Sequence, residues 1–232
     1  LSNPFLVELN DLEIAYVDTV LDGYELITVD RELPSSMDEL ATQMYNTLLK
    51  VGEEIKELSD IVFALASHAE SGAEMKNMTV KTLIYTYGVT LFRLALRKEI
   101  PLDGLHHGGL YLEYAVTIDS QYYQAYNRLG DTWFWLEDCE LDAIGCYKAS
   151  LVSHGKGESS TSMYVGGGSE RFKGNNYFKI GMCFVKLGRY KEARLFLKYA
   201  QYFIEEDDEM YSELGFESWE KIRDFIDMSE HR

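Results

Sequence analysis

Proline, cysteine and long apolar runs are all scarce in this sequence. Its 232 residues include 3 Pro and 3 Cys, and the cysteines are Cys139, Cys146 and Cys183. An odd number of cysteines without paired spacing argues against a disulfide framework and favours a reducing compartment. No apolar run approaches the roughly 18 residues that a membrane-spanning helix needs. We therefore predict a cytoplasmic protein that does not cross a membrane.

Basic side chains are also few. The chain has 22 Lys and Arg against 39 Asp and Glu, which gives a formal net charge of −17. Such a chain repels phosphate backbones and anionic lipids unless its basic side chains are concentrated on one face. Nucleic acids and membrane surfaces are therefore poor partners for it, and we expect a protein or peptide partner instead.

Residue patterns typical of catalysis or metal binding do not occur. His106 and His107 are adjacent, so on a helix they point about 100° apart and do not form a ligand pair. Residues 155–160 resemble a phosphate-binding loop only faintly, because they lack the upstream glycine spacing and follow no strand. We predict no catalytic residue, no metal site and no cofactor, and therefore no enzyme.

Helical periodicity dominates the second two-thirds of the chain. Hydrophobic residues make up 46% of the sequence, including 17 Tyr and 11 Phe, which is enough to build a packed core. Apolar residues recur every three or four positions, which predicts amphipathic helices. These helices cover 78–98, 105–118, 125–136, 139–152, 175–187, 190–205 and 212–228. The Gly- and Ser-rich residues 153–175 predict a loop insertion, either functional or mobile.

The first 35 residues differ from the rest and are predicted to form an N-terminal extension. Two β-prone runs, 14–20 and 24–29, flank the dipeptide Asp22-Gly23. Asp-Gly between such runs is a strong hairpin signal. We therefore predict a small N-terminal β-hairpin appended to a helical body. The alternative is a helix over 11–21 followed by a turn.

Residues 36–78 are predicted to form one long helix. Ser36 and Glu39 form a capping box at its start. Behind them apolar residues alternate at spacings of four and three, which is a heptad seam. The seam residues are Met37, Ala41, Met44, Leu48, Val51, Ile55, Leu58, Val62 and Leu65. We favour a helix that packs on the rest of the protein. The alternatives are a break at Gly52, or a coiled coil through residues 37–65 that makes an oligomer or joins a larger complex.

One segment carries a repeat signature. Residues 177–200 read YFKIGMCFVKLGRYKEARLFLKYA. Its small and large apolar residues include Ile180, Gly181, Phe184, Leu187, Gly188, Tyr190, Ala193, Leu197 and Ala200. Through these residues the segment resembles the tetratricopeptide repeat family. The resemblance implies that the small residues lie where two helices of a hairpin approach each other and that the large residues fill the gaps between them.

Weaker copies of the pattern precede it. Residues 126–151 match through Leu129-Gly130, Trp133, Leu136, Cys139, Ala143 and Tyr147. Residues 105–120 resemble the second helix of an earlier repeat. Three repeats bury a continuous core. The resemblance therefore implies an all-α fold, a tetratricopeptide-like right-handed solenoid of antiparallel helix pairs over 79–232, closed by a C-terminal capping helix.

The resemblance also implies a binding groove lined by the first helix of each repeat. At the matching positions this chain has Arg93, Asn127, Arg128, Asp131, Trp135, Phe178, Lys179, Met182 and Lys186. Basic and aromatic side chains together suit an acidic or C-terminal peptide. The Lys, Asn and Arg set with which some members clamp chaperone tails is not reproduced, because Asp131 and Met182 stand at two of its positions. The alternative is that these residues are an ordinary solvated helix face.

Three functions follow from these observations. The first is a protein-interaction scaffold or adaptor that holds a peptide or protein segment in the groove. The second is a structural subunit assembled through residues 37–65. The third is a regulatory domain of an enzyme. We favour the first, because the repeats and the basic, aromatic groove residues occur together.

Overall fold

A computed structural model describes residues 11–33, 73–156, 169–203 and Asp224. These residues form seven helices, and no strand occurs among them. The helices are α1 (Asp11–Asp22), α2 (Ala73–Leu96), α3 (Gly104–Ile118), α4 (Tyr123–Trp135), α5 (Glu140–Lys156), α6 (Ser169–Lys186) and α7 (Tyr190–Phe203). The all-α prediction is confirmed. Most of the heptad segment, including 37–65, and the predicted capping helix at 212–228 lie outside the described residues, apart from Asp224.

The chain divides into two compact units. The central unit is Thr28–Leu136, and the terminal unit joins Leu1–Ile27 to Glu137–Arg232. The division falls between α4 and α5, the two helices that the sequence assigns to one repeat. Within each unit, helices that follow one another in the chain pack together, and in the terminal unit α1 also packs on α7.

In the central unit, α2 and α3 form an antiparallel hairpin with α4 packed on its second helix. The helices α2 and α3 cross at two glycines. A Cβ atom on Gly88 would lie 2.9 Å from the carbonyl oxygen of Gly108, and a Cβ on Gly108 would lie 2.9 Å from that of Gly88. Because neither glycine has a side chain, the two backbones are able to approach this closely. Phe92, Ala95 and Leu105 form a buried cluster at one end of the hairpin.

In the terminal unit, α6 and α7 form a second antiparallel hairpin, and α5 packs on α6. The turn contains Gly188 with φ +69°, a left-handed conformation that glycine adopts without strain. A Cβ on Gly181 would lie 2.8 Å from Cγ of Leu197, so this glycine lies at a close contact between the two helices. Phe178, Phe184 and Phe196 are fully buried in this unit.

The predicted N-terminal hairpin is wrong, and the alternative helix is correct. Residues 11–22 form α1, and residues 25–33 have no regular secondary structure. Val17 and Leu21, spaced four apart, are buried, and α1 packs on α7. The backbone N–H of Gly23 donates to the carbonyls of Thr19 and Val20, so Asp-Gly ends a helix instead of joining two strands. Tertiary packing outweighs β-propensity here.

The predicted loop at 153–175 is also too long. α5 continues to Lys156 and α6 begins at Ser169, so both ends of the predicted loop are helical. His154 and Phe172, one from each helix, stack with ring centroids 4.4 Å apart. This contact between α5 and α6 stabilises helix in residues whose composition favours a loop. Residues 157–168 lie outside the described part of the chain.

Candidate functional site

The predicted groove residues of the central unit lie on α2 and α4. Arg93 is exposed on α2, and Trp135 on α4 is 40% exposed. Arg128 is partly exposed, whereas Asn127 and Asp131 are buried. Arg128 and Trp135 are seven residues apart, so they lie on the same face of α4. A partner is therefore able to reach Arg93, Arg128 and Trp135.

The predicted groove residues of the terminal unit lie on α6 and are less accessible. Phe178, Lys179 and Met182 are buried, with at most 5% exposure. Lys186 is exposed, and its Nζ lies 2.8 Å from a carboxylate oxygen of Glu140 on α5. The Nζ of Lys179 lies 5.6 Å from the centre of the Tyr147 ring. Lys179 and Lys186 therefore join α5 to α6. The three buried side chains cannot touch a partner unless the unit rearranges.

The central unit brings three of the predicted residues together around Tyr85 on α2. Arg128 donates a hydrogen bond to the Tyr85 hydroxyl, and its NH1 lies 3.0 Å from Oδ2 of Asp131. Burial raises the pKa of the Tyr85 phenol, while the positive charges of Arg128 and, more weakly, Arg93 oppose that rise. Arg93 is therefore close enough to act on the same phenol. We call Tyr85, Arg93, Arg128 and Asp131 the Tyr85 cluster.

A second tyrosine extends the cluster. The rings of Tyr85 and Tyr122 are 5.1 Å apart, and the ammonium group of Lys81 lies 4.7 Å from the centre of the Tyr122 ring. The same ammonium is 2.6 Å from a carboxylate oxygen of Asp119. Burial raises the pKa of Tyr122 strongly, and the neighbouring Tyr85 and Asp119 add to the rise. Lys81 and Asp119 therefore join the start of α2 to the loop before α4.

Some of the charged side chains in and around the Tyr85 cluster form ion pairs within the described residues, and one does not. Arg128 is matched by Asp131 and Lys81 by Asp119. Arg93 has no ion pair with any residue that the structure describes. The guanidinium of Arg93 is therefore exposed and unmatched within the described residues, and arginine presents its donors in a fixed planar fork that suits a carboxylate or another anion.

The sequence patterns do not identify Tyr85 as a site residue. The apolar positions of α2 define its buried stripe, and a tyrosine near that stripe is normally a core residue. The first repeat also matches the family pattern poorly, so the register of α2 was not defined. The contact between α2 and α4 identifies Tyr85, because only that packing places its hydroxyl beside Arg128.

Within the described ranges, no group of three or more His, Cys, Asp or Glu side chains is placed to hold a metal ion. His106 and His107 are both exposed on α3. None of the helices in these ranges combines the length and the apolar character that crossing a bilayer requires. All three cysteines are free thiols, and burial raises the pKa of Cys139.

Comparison of the chain with protein-family models, with curated proteins and with solved structures finds no match. The resemblance to tetratricopeptide repeats therefore depends on the residues between 105 and 200 that carry it.

Proposed function

We propose that this protein is a tetratricopeptide-like repeat scaffold that binds an acidic segment of a partner protein at the Tyr85 cluster. The observation that carries the proposal is that two arginines act on the phenol of Tyr85, Arg128 through a hydrogen bond and Arg93 through its charge. Arg93 is exposed and has no ion pair within the described residues, although the chain as a whole is strongly acidic.

The cluster is ready to bind before a partner arrives. Arg128 is held by Asp131 and Tyr85, so little side-chain freedom is lost when it contacts a carboxylate. Trp135 lies two turns further along the same face and is 40% exposed, which offers an apolar contact beside the cations. Acidic residues flanking an aromatic or aliphatic residue match this arrangement.

The fold supports a scaffold role in the same way. Consecutive helices pack as antiparallel hairpins in both units, and the buried glycines lie at the close contacts that repeat proteins use. Hairpins of this kind are the units from which helical repeat arrays are built.

The test is charge reversal at Arg93. The probes are fluorescein-labelled 12-residue peptides rich in Asp and Glu, with and without one aromatic residue, and binding is followed by fluorescence anisotropy. Arg93→Glu should weaken binding at least tenfold, which corresponds to about 1.4 kcal/mol. Binding to the wild-type chain should also weaken as salt is raised, because the contacts are partly exposed.

The matched control is Lys191→Glu on α7, an exposed basic residue of the terminal unit that makes the same change in net charge. It should leave peptide binding nearly unchanged. Equal weakening by both variants would show that overall charge attracts the peptides and that the Tyr85 cluster does not bind them.

A further inference from the structure

The segment that follows α1 lies against α5 of the terminal unit, and its residues 25–27 have no regular secondary structure. The ammonium group of Lys148 on α5 donates to the main-chain carbonyl of Tyr24 at 2.8 Å. A Cβ on Gly145, one turn earlier, would lie 3.2 Å from the carbonyl oxygen of Glu25 and 3.4 Å from the nitrogen of Ile27. The absence of a side chain at Gly145 therefore lets this backbone lie directly on α5.

The side chain of Tyr24 enters a site with one aromatic wall and one cationic end. Its ring packs edge-on against Phe184, with centroids 5.6 Å apart. Arg189 lies 5.0 Å from the Phe184 ring and donates a hydrogen bond to the Tyr24 hydroxyl. The guanidinium is held in turn by Glu192, whose Oε1 lies 3.1 Å from Nε. A phenol at this position therefore satisfies both the apolar wall and the arginine.

These contacts are those by which proteins recognise extended peptides. A side chain binds the peptide main chain, a glycine permits close backbone approach, and a pocket selects one side chain. We propose that Gly145, Lys148, Phe184 and Arg189 form a binding site for an extended segment of a partner protein, with a tyrosine followed three residues later by a β-branched aliphatic residue. We call these four residues the arm site, and residues 22–27 of the chain itself occupy it in the structure.

The occupying segment has few fully buried apolar side chains. Residues 25–27 have no regular secondary structure, Leu26 is 44% exposed, and Tyr24 and Ile27 are only partly buried. Val17 and Leu21 are the fully or nearly buried apolar anchors among the described side chains of α1. A segment with few buried apolar contacts opens more readily than a core element. A partner segment with the same chemistry is then able to replace it.

This site is separate from the proposed acidic-peptide site. Its residues all belong to the terminal unit, whereas the Tyr85 cluster belongs to the central unit. The two proposals therefore fail independently. The arm site selects a phenol and a main-chain carbonyl, and it does not need an acidic peptide.

The test uses the full chain and a fluorescein-labelled synthetic peptide with the sequence of residues 11–27. Tyr24→Ala weakens the occupying segment and leaves the arm site intact. We expect the peptide to bind this variant at least tenfold more tightly than it binds the wild-type chain. A control peptide in which the tyrosine that corresponds to Tyr24 is replaced by alanine, with the one that corresponds to Tyr16 kept, should not bind.

A second substitution shows where the peptide binds. Gly145→Leu, added to Tyr24→Ala, places a side chain where the peptide backbone lies and should abolish binding. Circular dichroism and thermal unfolding check that each variant is folded. Ile27→Ser takes the place of Tyr24→Ala if the latter does not fold, because it also weakens the segment without changing the site.

Three results would overturn the proposal. The first is a folded Tyr24→Ala chain that does not bind the peptide, or binds it equally well after Gly145→Leu. The second is failure of both Tyr24→Ala and Ile27→Ser to fold, which would make the segment an inseparable part of the terminal unit. The third is a concentration-dependent dimer of the wild-type chain that the peptide dissociates, because the occupant would then be a second copy of this chain.

Discussion

The crossing of α2 and α3 is testable with a single methyl group. Gly108 is buried, and a Cβ there would lie 2.9 Å from the carbonyl oxygen of Gly88 and 3.2 Å from the backbone nitrogen of Phe92. Both neighbours are backbone atoms of the opposite helix, so no side-chain rotation relieves the contact. Gly108→Ala therefore requires the two helices to move apart.

The magnitude follows from two opposing effects. Extra methyl groups in a packed site cost about 1–3 kcal/mol, and backbone neighbours place this contact in the upper half of that range. Alanine favours the helix by about 1 kcal/mol relative to glycine. We therefore expect Gly108→Ala to lower the free energy of unfolding by about 1–2 kcal/mol. At roughly 4 °C per kcal/mol, this lowers Tm by about 4–8 °C.

Gly155→Ala is the matched control. Gly155 lies in the last turn of α5, is exposed, and a Cβ there would meet nothing within 4 Å. Gly155→Ala gains the higher helix propensity of alanine without a steric clash, so its free energy of unfolding should rise by up to about 1 kcal/mol. Both variants are measured by urea denaturation followed by circular dichroism. A Gly108→Ala chain as stable as the wild type, or more stable, would refute the close backbone crossing.

Two further predictions concern pH. Burial alone would raise the pKa of Glu140, but hydrogen bonds from Lys186 and the backbone, with the charge of Lys186, hold it below its ordinary value. The stabilisation from the Glu140–Lys186 pair is therefore complete above about pH 4.5 and is lost as the pH falls through the lowered pKa. This loss should be absent in Lys186→Met. Acid titration of the free energy of unfolding, followed by circular dichroism, measures both. Burial raises the pKa values of Tyr122 and Tyr177, so the unfolded chain releases these protons first and stability should fall above about pH 10. Tyrosinate absorbance during alkaline unfolding measures when these phenols ionise. A smaller pH dependence of stability in Tyr122→Phe would support the prediction. Ionisation of both phenols near pH 10 in the folded chain would contradict it.

Part of the candidate site was predictable. Periodicity on α4 places Arg128 and Trp135 on one face, and both are accessible in the structure. The same reasoning selects Phe178 and Met182 on α6, which are buried. The pattern of a single helix shows which residues share a face. It does not show whether a neighbouring element covers that face, because burial depends on contacts that are distant in the chain.

The sequence by itself determined the helices of the body. Apolar spacings of three and four recur over residues 78–205, and short polar or Gly-containing breaks separate them. A helix satisfies its own backbone hydrogen bonds locally, so these signals are sufficient for α4 and α7, whose observed bounds lie close to the predicted ones.

Only the tertiary structure decided the remaining features. Residues 14–20 are β-prone, yet they form a helix, because Val17 and Leu21 are buried where α1 packs on α7. Three contacts join residues that are far apart in the chain. They are the crossing at Gly88 and Gly108, the position of Tyr85 beside Arg128, and the packing of residues 25–27 on Gly145. Each depends on the distance between two packed elements, and that distance is set by all the side chains between them, which local periodicity does not specify.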